Sequence, residues 1–516
     1  MTNKTPSAVV VGAGFGGLAA AVRLRLLGFR VTLVEALDQA GGRARVFRRG
    51  GFTFDAGPTV ITAPYLLHEL FDAAGRDSRE FFSLVPVDPF YRILFDDGER
   101  FDYTGDEERL LAQVARFDRR DVDGFRKLSA HAERIFDVGY TQLADRPFHR
   151  ASDMLRVLPQ MMKLESYRSV YGLVSRYIRN ENLRQAFTFE PLLVGGNPFT
   201  TTSVYLLIHW LERKWGVHFA LGGTGSIVAG MQRLLEELQV DVRLSTPVEE
   251  IDVVGGRARG VRLAGGAWLP ADVVVCNADP SVVYSRMLPA QEPRIGAAPD
   301  RMRASMGLFV AYFGADRSYG DAGLAHHTVI MGPRYRGLLD DIFTRKTLAP
   351  DHSLYLHAPT VTDPSMAPPG KDAFYVLSPV PNLRAGVDWR REAEPYFARI
   401  LDTLEKRALP GISRHLVEPS FMTPLDFERT LRSRDGAAFG PEPVLTQSAW
   451  FRYHNRSPTV RGLYFVGAGT HPGGGVPGVL NSAKVVERVI REEWGDALRA
   501  VPATRRESRR GVPAAR

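Results

Sequence analysis

The first forty residues contain two short apolar runs separated by a longer segment with helical periodicity. Residues 8–11 (AVVV) are apolar and mostly β-branched, which predicts a buried strand. GAGFGG follows, and then LAAAVRLRLLG places apolar residues at helical spacing. A second apolar run, VTLVE, covers residues 31–35. The order of strand, glycine-rich turn, helix and strand predicts a complete βαβ unit.

Four residues of this unit have the types and the spacing of a dinucleotide site. Gly12 permits a tight turn, Gly14 permits close approach of the backbone to a pyrophosphate, and Gly17 permits close packing of helix on strand. Glu35 ends the second strand, where its carboxylate can accept hydrogen bonds from ribose hydroxyls. The free N–H groups at the start of the helix would complete a phosphate site.

The continuation after Glu35 separates FAD from a nicotinamide cofactor. The GGR sequence of residues 41–43 predicts a loop whose two glycines, Gly41 and Gly42, let the backbone run close to the dinucleotide. Arg43 would then lie near the phosphates or the flavin edge. A glutamate followed by GGR resembles the amine-oxidase-like flavoprotein superfamily. That resemblance implies FAD, and it implies that the segment at Val248 passes the adenine with backbone contacts.

Two later blocks contribute to the same predicted site. Residues 240–280 predict strands broken by glycine pairs and then an apolar strand that returns to the sheet. Residues 462–484 predict a strand that delivers Gly467 and Gly469 beside the ribityl chain, and then a helix. This helix begins at Val476, Pro477 and Gly478, and its positive end would face the part of the flavin where charge builds up on reduction.

The middle of the chain is apolar and shows neither a catalytic triad nor metal-ligand spacing. Residues 154–177 and 188–215 predict helices with apolar faces. Such faces fit ordinary core packing and a long tunnel for a hydrocarbon equally well. A membrane-dipping entrance is a further hypothesis for the second segment.

Charge and composition limit the set of partners. The chain has 66 Lys and Arg against 58 Asp and Glu, and residues 495–516 contribute six arginines against two acidic residues. This tail predicts a solvated end or an attraction to an anionic membrane surface. Charges of both signs alternate elsewhere, so no nucleic acid is expected as a partner. No apolar run reaches eighteen residues and no secretory signal begins the chain, so we expect no membrane span.

The sequence predicts no metal site. Cys276 is the single cysteine, which excludes an internal disulfide and a multi-cysteine site. His326 and His327 are adjacent, and adjacent residues of a strand point to opposite faces. We expect His471, beside the flavin-binding glycines, to pack or to lie at the flavin edge rather than to act as a base.

Ten further segments resemble the bacterial phytoene desaturases, over residues 8–489. They are FDAGPTVIT, PVDPFYR, LLVGGNPF, LERKWGV, GGTGSIV, GPRYR, SLYLHAPTVTDPS, YVLSPVP, LTQSAWFR and VGAGTHPGGGVPGV. The resemblance implies an FAD enzyme that converts phytoene, a membrane-dissolved C40 carotenoid precursor, to neurosporene or lycopene. It also implies a peripheral protein on the cytoplasmic face of the bacterial membrane, with a quinone or oxygen as electron acceptor.

Two alternatives stay open on the sequence. One is a desaturase of the same family that acts on a hydroxylated or methoxylated carotenoid, or on a C30 substrate. The other is a non-catalytic isoprenoid carrier, which the intact phosphate-binding glycines and Glu35 disfavour.

Asp153 and Arg156 are the predicted catalytic pair. They lie three residues apart in SDMLR, so one helical turn brings both to the same side of an apolar helix. They also fall in the segment of the family for which an acid–base role has been suggested. The alternative is an ion pair on the surface of the helix.

The predicted fold class is α/β, a two-dinucleotide-binding-domain flavoprotein with a Rossmann-like FAD domain. We assign residues 1–65, 215–285 and 445–495 to the FAD domain, and residues 66–130 and 286–444 to a mixed-sheet substrate domain. Residues 131–214 form an inserted helical domain at the membrane and substrate entrance, and residues 496–516 form a basic, disordered tail.

Overall fold

The computed structural model describes residues 5–288, 302–495 and 498. The predicted tail therefore lies outside the described residues, apart from Leu498. The strands of the described part, in chain order, are β1 Ser7–Val11, β2 Arg30–Val34, β3 Val46–Arg49, β4 Phe52–Asp55, β5 Leu84–Pro86, β6 Tyr91–Leu94, β7 Arg100–Tyr103, β8 His218–Ala220, β9 Asp241–Arg243, β10 Val248–Val254, β11 Arg257–Leu263, β12 Trp268–Pro270, β13 Val273–Cys276, β14 Gly307–Ala315, β15 His327–Ile330, β16 Leu354–His357, β17 Asp372–Val380, β18 Leu416–Met422 and β19 Leu463–Phe465.

The α-helices alternate with these strands and cluster between β7 and β8. They are Phe15–Leu26, Pro64–Ala73, Glu107–Phe117, Asp121–Phe136, Ala151–Lys163, Val170–Val174, Glu181–Ala186, Leu207–Trp215, Thr224–Glu237, Pro280–Val282, Tyr335–Asp340, Trp389–Arg407, Ile412–His415, Pro424–Leu431 and Val476–Trp494. In the described part of the chain, no helix has both the length and the apolar character needed to cross a bilayer.

A five-stranded parallel sheet begins with the N-terminal strand at its centre. Its order is β19-β13-β1-β2-β9. Alternate residues of β1 face opposite layers, as the two-residue period of a strand requires. Val10 belongs to the core formed with helices Phe15–Leu26 and Val476–Trp494, whereas Val9 belongs to the core formed with the β10–β12 meander. The sheet is buried on both faces, which explains its nearly continuous apolar strands.

A second sheet has seven strands in the order β18-β14-β17-β16-β15-β6-β7. Its pairing is antiparallel except between β15 and β6. Phe309 and Phe313 of β14 pack on helix Trp389–Arg407. Tyr312, between them, packs on the other face of the sheet, within the core that surrounds the apolar cavity described below.

The predicted fold class is confirmed by the parallel sheet, the mixed sheet and the helices between residues 107 and 215. The five-stranded sheet takes its strands from residues 7–34, 241–276 and 463–465, which are far apart in the sequence. The proposed domain boundaries stay predictions. The helix Asp121–Phe136 runs across the boundary placed at residue 131.

Candidate functional site

The turn after β1 forms one wall of a deep cavity. Gly12 has φ +96°, which favours glycine. A Cβ on Gly14 would lie 2.7 Å from Nδ2 of Asn277, so a side chain at this position would have to displace the end of the Asn277 side chain. Gly14 is the N-cap of helix Phe15–Leu26, and since glycine has no side chain to cap it, the first N–H groups of the helix are available to an anion.

Glu35 holds this turn in place from the end of β2. Its carboxylate accepts hydrogen bonds from the backbone N–H of Ala13, at 2.6 Å, and of Leu37, at 3.0 Å. Glu35 also lines the cavity, as its predicted contact with a ribose requires. The residue thus stabilises the glycine-rich turn in addition to facing the ligand space.

The loop of residues 41–43 lies against the glycine-rich turn after β1. A Cβ on Gly42 would lie 3.4 Å from Cα of Gly14. Arg43 lines the cavity and donates a hydrogen bond from Nη2 to Oγ of Ser433, at 2.6 Å. Its enclosed Nε has no partner among the described residues, and burial lowers the pKa of the Arg43 guanidinium, partly offset by Asp279. A buried guanidinium with an unsatisfied N–H group is suited to bind an anionic ligand.

The C-terminal block forms the opposite wall. Gly467, Val476, Pro477 and Gly478 all line the cavity, and so does Val248 from the meander. The helix Val476–Trp494 starts after a glycine N-cap, so its first N–H groups have no side-chain cap. A second helix N-terminus is therefore directed at the same space.

Two predicted glycines support the site without lining it. A Cβ on Gly17 would lie 1.9 Å from the carbonyl oxygen of Gly12, so Gly17 is required for the packing of helix on turn. A Cβ on Gly469 would lie 2.4 Å from Cδ of Pro280. Neither residue is part of the cavity wall. The predicted contact of Gly469 with the ribityl chain therefore has no support in this geometry.

The cavity continues from these loops into a strongly apolar space. Its volume is about 570 Å³. The apolar part lies between the seven-stranded sheet and the helices that precede β8, and its walls include Phe189, Leu193, Leu207, Leu308, Leu339 and Met422. A dinucleotide cleft and an apolar chamber are thus one continuous space. Two uncapped helix N-termini, two close-approach glycines and an arginine whose Nε has no partner among the described residues fit FAD in the first part.

Asp153 and Arg156 do not lie at this cavity. Asp153 accepts a hydrogen bond from the backbone N–H of Arg150, at 3.1 Å, and so caps helix Ala151–Lys163. Arg156 is 76% exposed and lies 3.8 Å from Asp153. The other face of the helix contributes Val157 and Met161 to the cavity. The predicted proton-handling role of the pair therefore has no support in the geometry, which matches a surface ion pair.

A buried carboxyl pair is a feature that the sequence did not indicate. Glu190 and Glu212 are 1% and 0% exposed, and their carboxyl groups are within hydrogen-bonding reach of each other. Burial raises the pKa of both. Glu212 lines the apolar chamber. The sequence offered one hint, because Glu212 lies within the largely apolar segment of residues 204–215. Helical spacing alone, however, assigns this glutamate to the surface of the helix.

The histidines at 326 and 327 also differ from expectation. The prediction that their side chains point apart is wrong, because the ring centroids are 4.5 Å apart. His326 precedes β15, so strand alternation does not apply to it. His357 on β16 joins them, with Nε2 3.0 Å from Nε2 of His326. Burial lowers the pKa of all three, and the predicted absence of a metal stays a prediction.

His471 lines the cavity and is buried, as predicted for a packing residue. Its ring lies 5.0 Å from that of Phe148, and burial lowers the pKa of His471 to about 3. A histidine with this pKa is neutral at physiological pH and is a weak proton acceptor.

Comparison with known proteins places the chain in a flavoprotein family, in agreement with a dinucleotide site. The family described as Flavin containing amine oxidoreductase matches residues 15–489. A lycopene-forming phytoene desaturase of Pseudescherichia vulneris is 50% identical over 94% of this chain and 99% of its own length. A neurosporene-forming phytoene desaturase of Rhodobacter capsulatus is 47% identical over 94% of this chain and 93% of its own length.

Solved structures share the fold at low sequence identity. An oxidoreductase from Methanosarcina mazei has a TM-score of 0.62 and 17% identity, and the match covers 93% of this chain and all of that one. Putrescine oxidase bound to putrescine also has a TM-score of 0.62 and 17% identity, over 94% of this chain and 99% of its own. We call the glycine-rich turn after β1, the loop of residues 41–43 and the start of helix Val476–Trp494 the FAD cradle. This geometry and the flavin family together identify FAD as the cofactor. The chain belongs to the phytoene desaturases, within the flavin-containing amine oxidoreductases.

Proposed function

We propose that the chain is an FAD-dependent phytoene desaturase that forms neurosporene or lycopene. The observation that carries this proposal is the continuity of the FAD cradle with an apolar chamber. A C40 hydrocarbon has no group that can form hydrogen bonds, so its position depends on the shape of an apolar wall. The carrier alternative is set aside, since the flavin site is complete and the family is one of oxidoreductases.

The chain and its cofactor have separate tasks in such a reaction. Bound FAD supplies a two-electron acceptor for a hydride from an allylic carbon. The protein holds the polyene chain, and the walls at Leu308, Leu339 and Met422 exclude water from the reacting carbons. Each desaturation then requires a neighbouring carbon to lose a proton to a group of the chain or to water.

The test is turnover in a membrane system. Purified protein is incubated with FAD and phytoene in liposomes, and products are separated by chromatography and identified by absorbance. Neurosporene or lycopene is expected, and unchanged phytoene together with conversion of a C30 precursor would support the alternative substrate. The alternative substrate is worth testing because a 4,4'-diapophytoene desaturase of Staphylococcus haemolyticus is 34% identical over 94% of this chain and 98% of its own length.

Peripheral attachment to the cytoplasmic face of the membrane is part of the proposal. Leu155, Leu158 and Met162 are 68%, 45% and 55% exposed on helix Ala151–Lys163, and Tyr167 beyond it is 54% exposed. The same helix contributes Met161 to the cavity. An exposed apolar face that adjoins an apolar chamber fits entry of substrate from the lipid interior. The face has basic neighbours in Arg150, Arg156, Lys163 and Arg168, which suits an anionic leaflet.

Cosedimentation with anionic liposomes tests this attachment. Leu155→Glu combined with Met162→Glu is expected to reduce the bound fraction at least tenfold, because two charges would enter the interface. Val254→Glu is the matched control, since Val254 is 58% exposed on the β10 edge, away from this helix. Equal binding of all three proteins would refute the assigned face.

The electron acceptor is proposed to be a quinone or oxygen. Turnover under argon with and without a soluble quinone separates the two. Product formation that needs the quinone identifies it as the acceptor, whereas product formation that needs air identifies oxygen.

A further inference from the structure

The carboxyl pair of Glu190 and Glu212 is placed where an apolar wall would be expected. Glu212 lies on helix Leu207–Trp215, after Leu207, Ile208 and Leu211, which also line the chamber. Glu190 begins the short helix Glu190–Val194, and both carboxyl groups are fully enclosed. Burial of two carboxyl groups side by side is costly, and both cannot be ionised together.

The surroundings of the pair supply hydrogen bonds but no opposite charge. The Tyr91 hydroxyl donates to Oε1 of Glu212, at 2.7 Å. In the described part of the chain, no lysine or arginine nitrogen lies within 4.0 Å of either carboxylate. His209 is 3.9 Å from Oε1 of Glu190, but burial lowers the pKa of His209 to about 3 and leaves it neutral. The pair therefore holds at least one proton at neutral pH.

Glu212 is also the carboxylate of the cavity wall that lies beside a second carboxyl group, that of Glu190. Among the described residues, three acidic side chains line the cavity: Glu35, Glu212 and Asp279. Glu35 accepts two backbone N–H groups at the dinucleotide turn, and Asp279 caps Ser281. In the part of the chain that the structure describes, Oε2 of Glu212 receives no hydrogen bond from an N–H or hydroxyl group, and the Glu190 carboxyl is the group within hydrogen-bonding reach of the Glu212 carboxyl.

We propose that the Glu190–Glu212 pair accepts the proton that leaves the hydrocarbon during desaturation, with Glu212 as the catalytic base. The inference rests on the proposed function. In this step one C–H bond gives its hydrogen and both electrons to oxidised FAD. The C–H bond of the adjacent carbon breaks, its proton passes to a carboxylate oxygen of the pair, and its electron pair forms the new double bond. Reoxidation of the flavin passes two electrons to the external acceptor and releases the proton that arrived with the hydride, and the pair returns its own proton to solvent.

The base form of the pair is the ionised form, which sets the direction of the pH dependence. Because the pKa of both groups is raised, the rate of phytoene-dependent flavin reduction should increase from neutral to mildly alkaline pH. The groups that face the pair from the packed elements are Tyr91 on β6, Tyr103 on β7 and His209 on the helix of Glu212, with His327 and Tyr355 beside Tyr91. Arg213, which follows Glu212 on the same helix, instead pairs with Glu107, at 3.5 Å.

Glu212→Gln removes the base and keeps the shape of the side chain. We expect retained FAD content and a rate of flavin bleaching by phytoene, in a single turnover under argon, reduced at least 100-fold and independent of pH. Glu442→Gln is the control, since Glu442 is a buried carboxyl with a raised pKa outside the cavity wall. Its rate should stay within twofold of the wild type.

Glu190→Gln provides a second test that does not depend on loss of activity. Glu212 keeps its carboxyl group but loses its ionisable neighbour, so the rise of rate with pH should move toward lower pH. A purely structural role of Glu190 would reduce the rate without moving the profile. The infrared carbonyl band of a protonated carboxyl, measured on the protein without substrate, should be present in the wild type at pH 7 and weakened in Glu212→Gln.

The outcomes separate this inference from the proposed function. A wild type that leaves phytoene and its flavin unchanged overturns both. A wild type that converts phytoene, with Glu212→Gln within threefold of its rate or with no change of the infrared band, overturns the role of the pair alone.

Discussion

Replacement of Gly17 by alanine would push the first helix away from the turn that precedes it. The new Cβ would lie 1.9 Å from the carbonyl oxygen of Gly12, whereas real Cβ contacts essentially never fall below 3.0 Å. Both atoms are fixed to the backbone, so no rotamer change relieves the contact. The N-terminal end of helix Phe15–Leu26 must therefore move by about 1 Å or more.

This displacement has two measurable consequences. Overpacking in a buried interface costs about 1–3 kcal/mol, and a backbone contact belongs at the upper end, so we expect a loss of about 3 kcal/mol, or roughly 100-fold in the folding equilibrium. The free N–H groups after Gly14 move with the helix. Loss of one charge-assisted hydrogen bond costs about 1.5–3 kcal/mol, so the affinity for FAD should fall at least tenfold.

Flavin fluorescence during titration of the apoprotein gives the affinity, and the denaturant midpoint gives the stability. Gly320→Ala is the control, because a Cβ there meets nothing closer than 3.6 Å, from Oγ of Ser318. Gly14→Ala is the contrasting variant, since its Cβ meets the end of the Asn277 side chain, which can turn away. It should lower FAD affinity and keep stability within about 1 kcal/mol. Wild-type affinity and stability in Gly17→Ala would refute the packing argument.

Two further predictions concern acidic groups. Burial raises the pKa of Asp55 to about 7 from 3.8, so its contribution to stability is present below pH 3.8 and is lost as pH rises to about 7. Relative to Asp55→Asn, the wild type should lose about 1.4 kcal/mol per pH unit between pH 5 and pH 7, measured by denaturant unfolding, and parallel pH profiles would contradict this. Asp153→Asn and Arg156→Ala should each keep desaturation within twofold, because the pair is outside the cavity, and a 100-fold loss in a liposome assay would restore its catalytic role.

The FAD cradle could be predicted from the sequence because its first part is local. Gly12, Gly14 and Glu35 belong to consecutive elements, and the βαβ geometry fixes their relative positions. The carboxyl pair could not be predicted, because Glu190 and Glu212 lie on different helices that only tertiary packing brings together. Sequence spacing gives neighbours along an element, not across a core.

The helix of Asp153 shows a second limit. Spacing of three residues correctly placed Asp153 and Arg156 together, at 3.8 Å. Spacing alone does not say which side of the helix faces the protein. Val157 and Met161 line the cavity, whereas Asp153 and Arg156 do not. The three histidines show the same limit in a sheet, where His357 meets His327 only through the pairing of β15 with β16.

The arrangement of the five-stranded sheet determines when the enzyme can acquire its flavin. β1 and the turn at Gly14 are synthesised first, whereas β19 and the helix Val476–Trp494 are synthesised roughly 450 residues later. That last helix packs on the first, with Nη1 of Arg23 2.8 Å from Oε2 of Glu487. The nascent chain therefore lacks one wall of the FAD site through most of its synthesis, and we expect stable FAD binding only after the last helix has been made. A chain that terminates before residue 467 lacks both Gly467 and the helix Val476–Trp494, so we expect it to be purified without flavin absorbance.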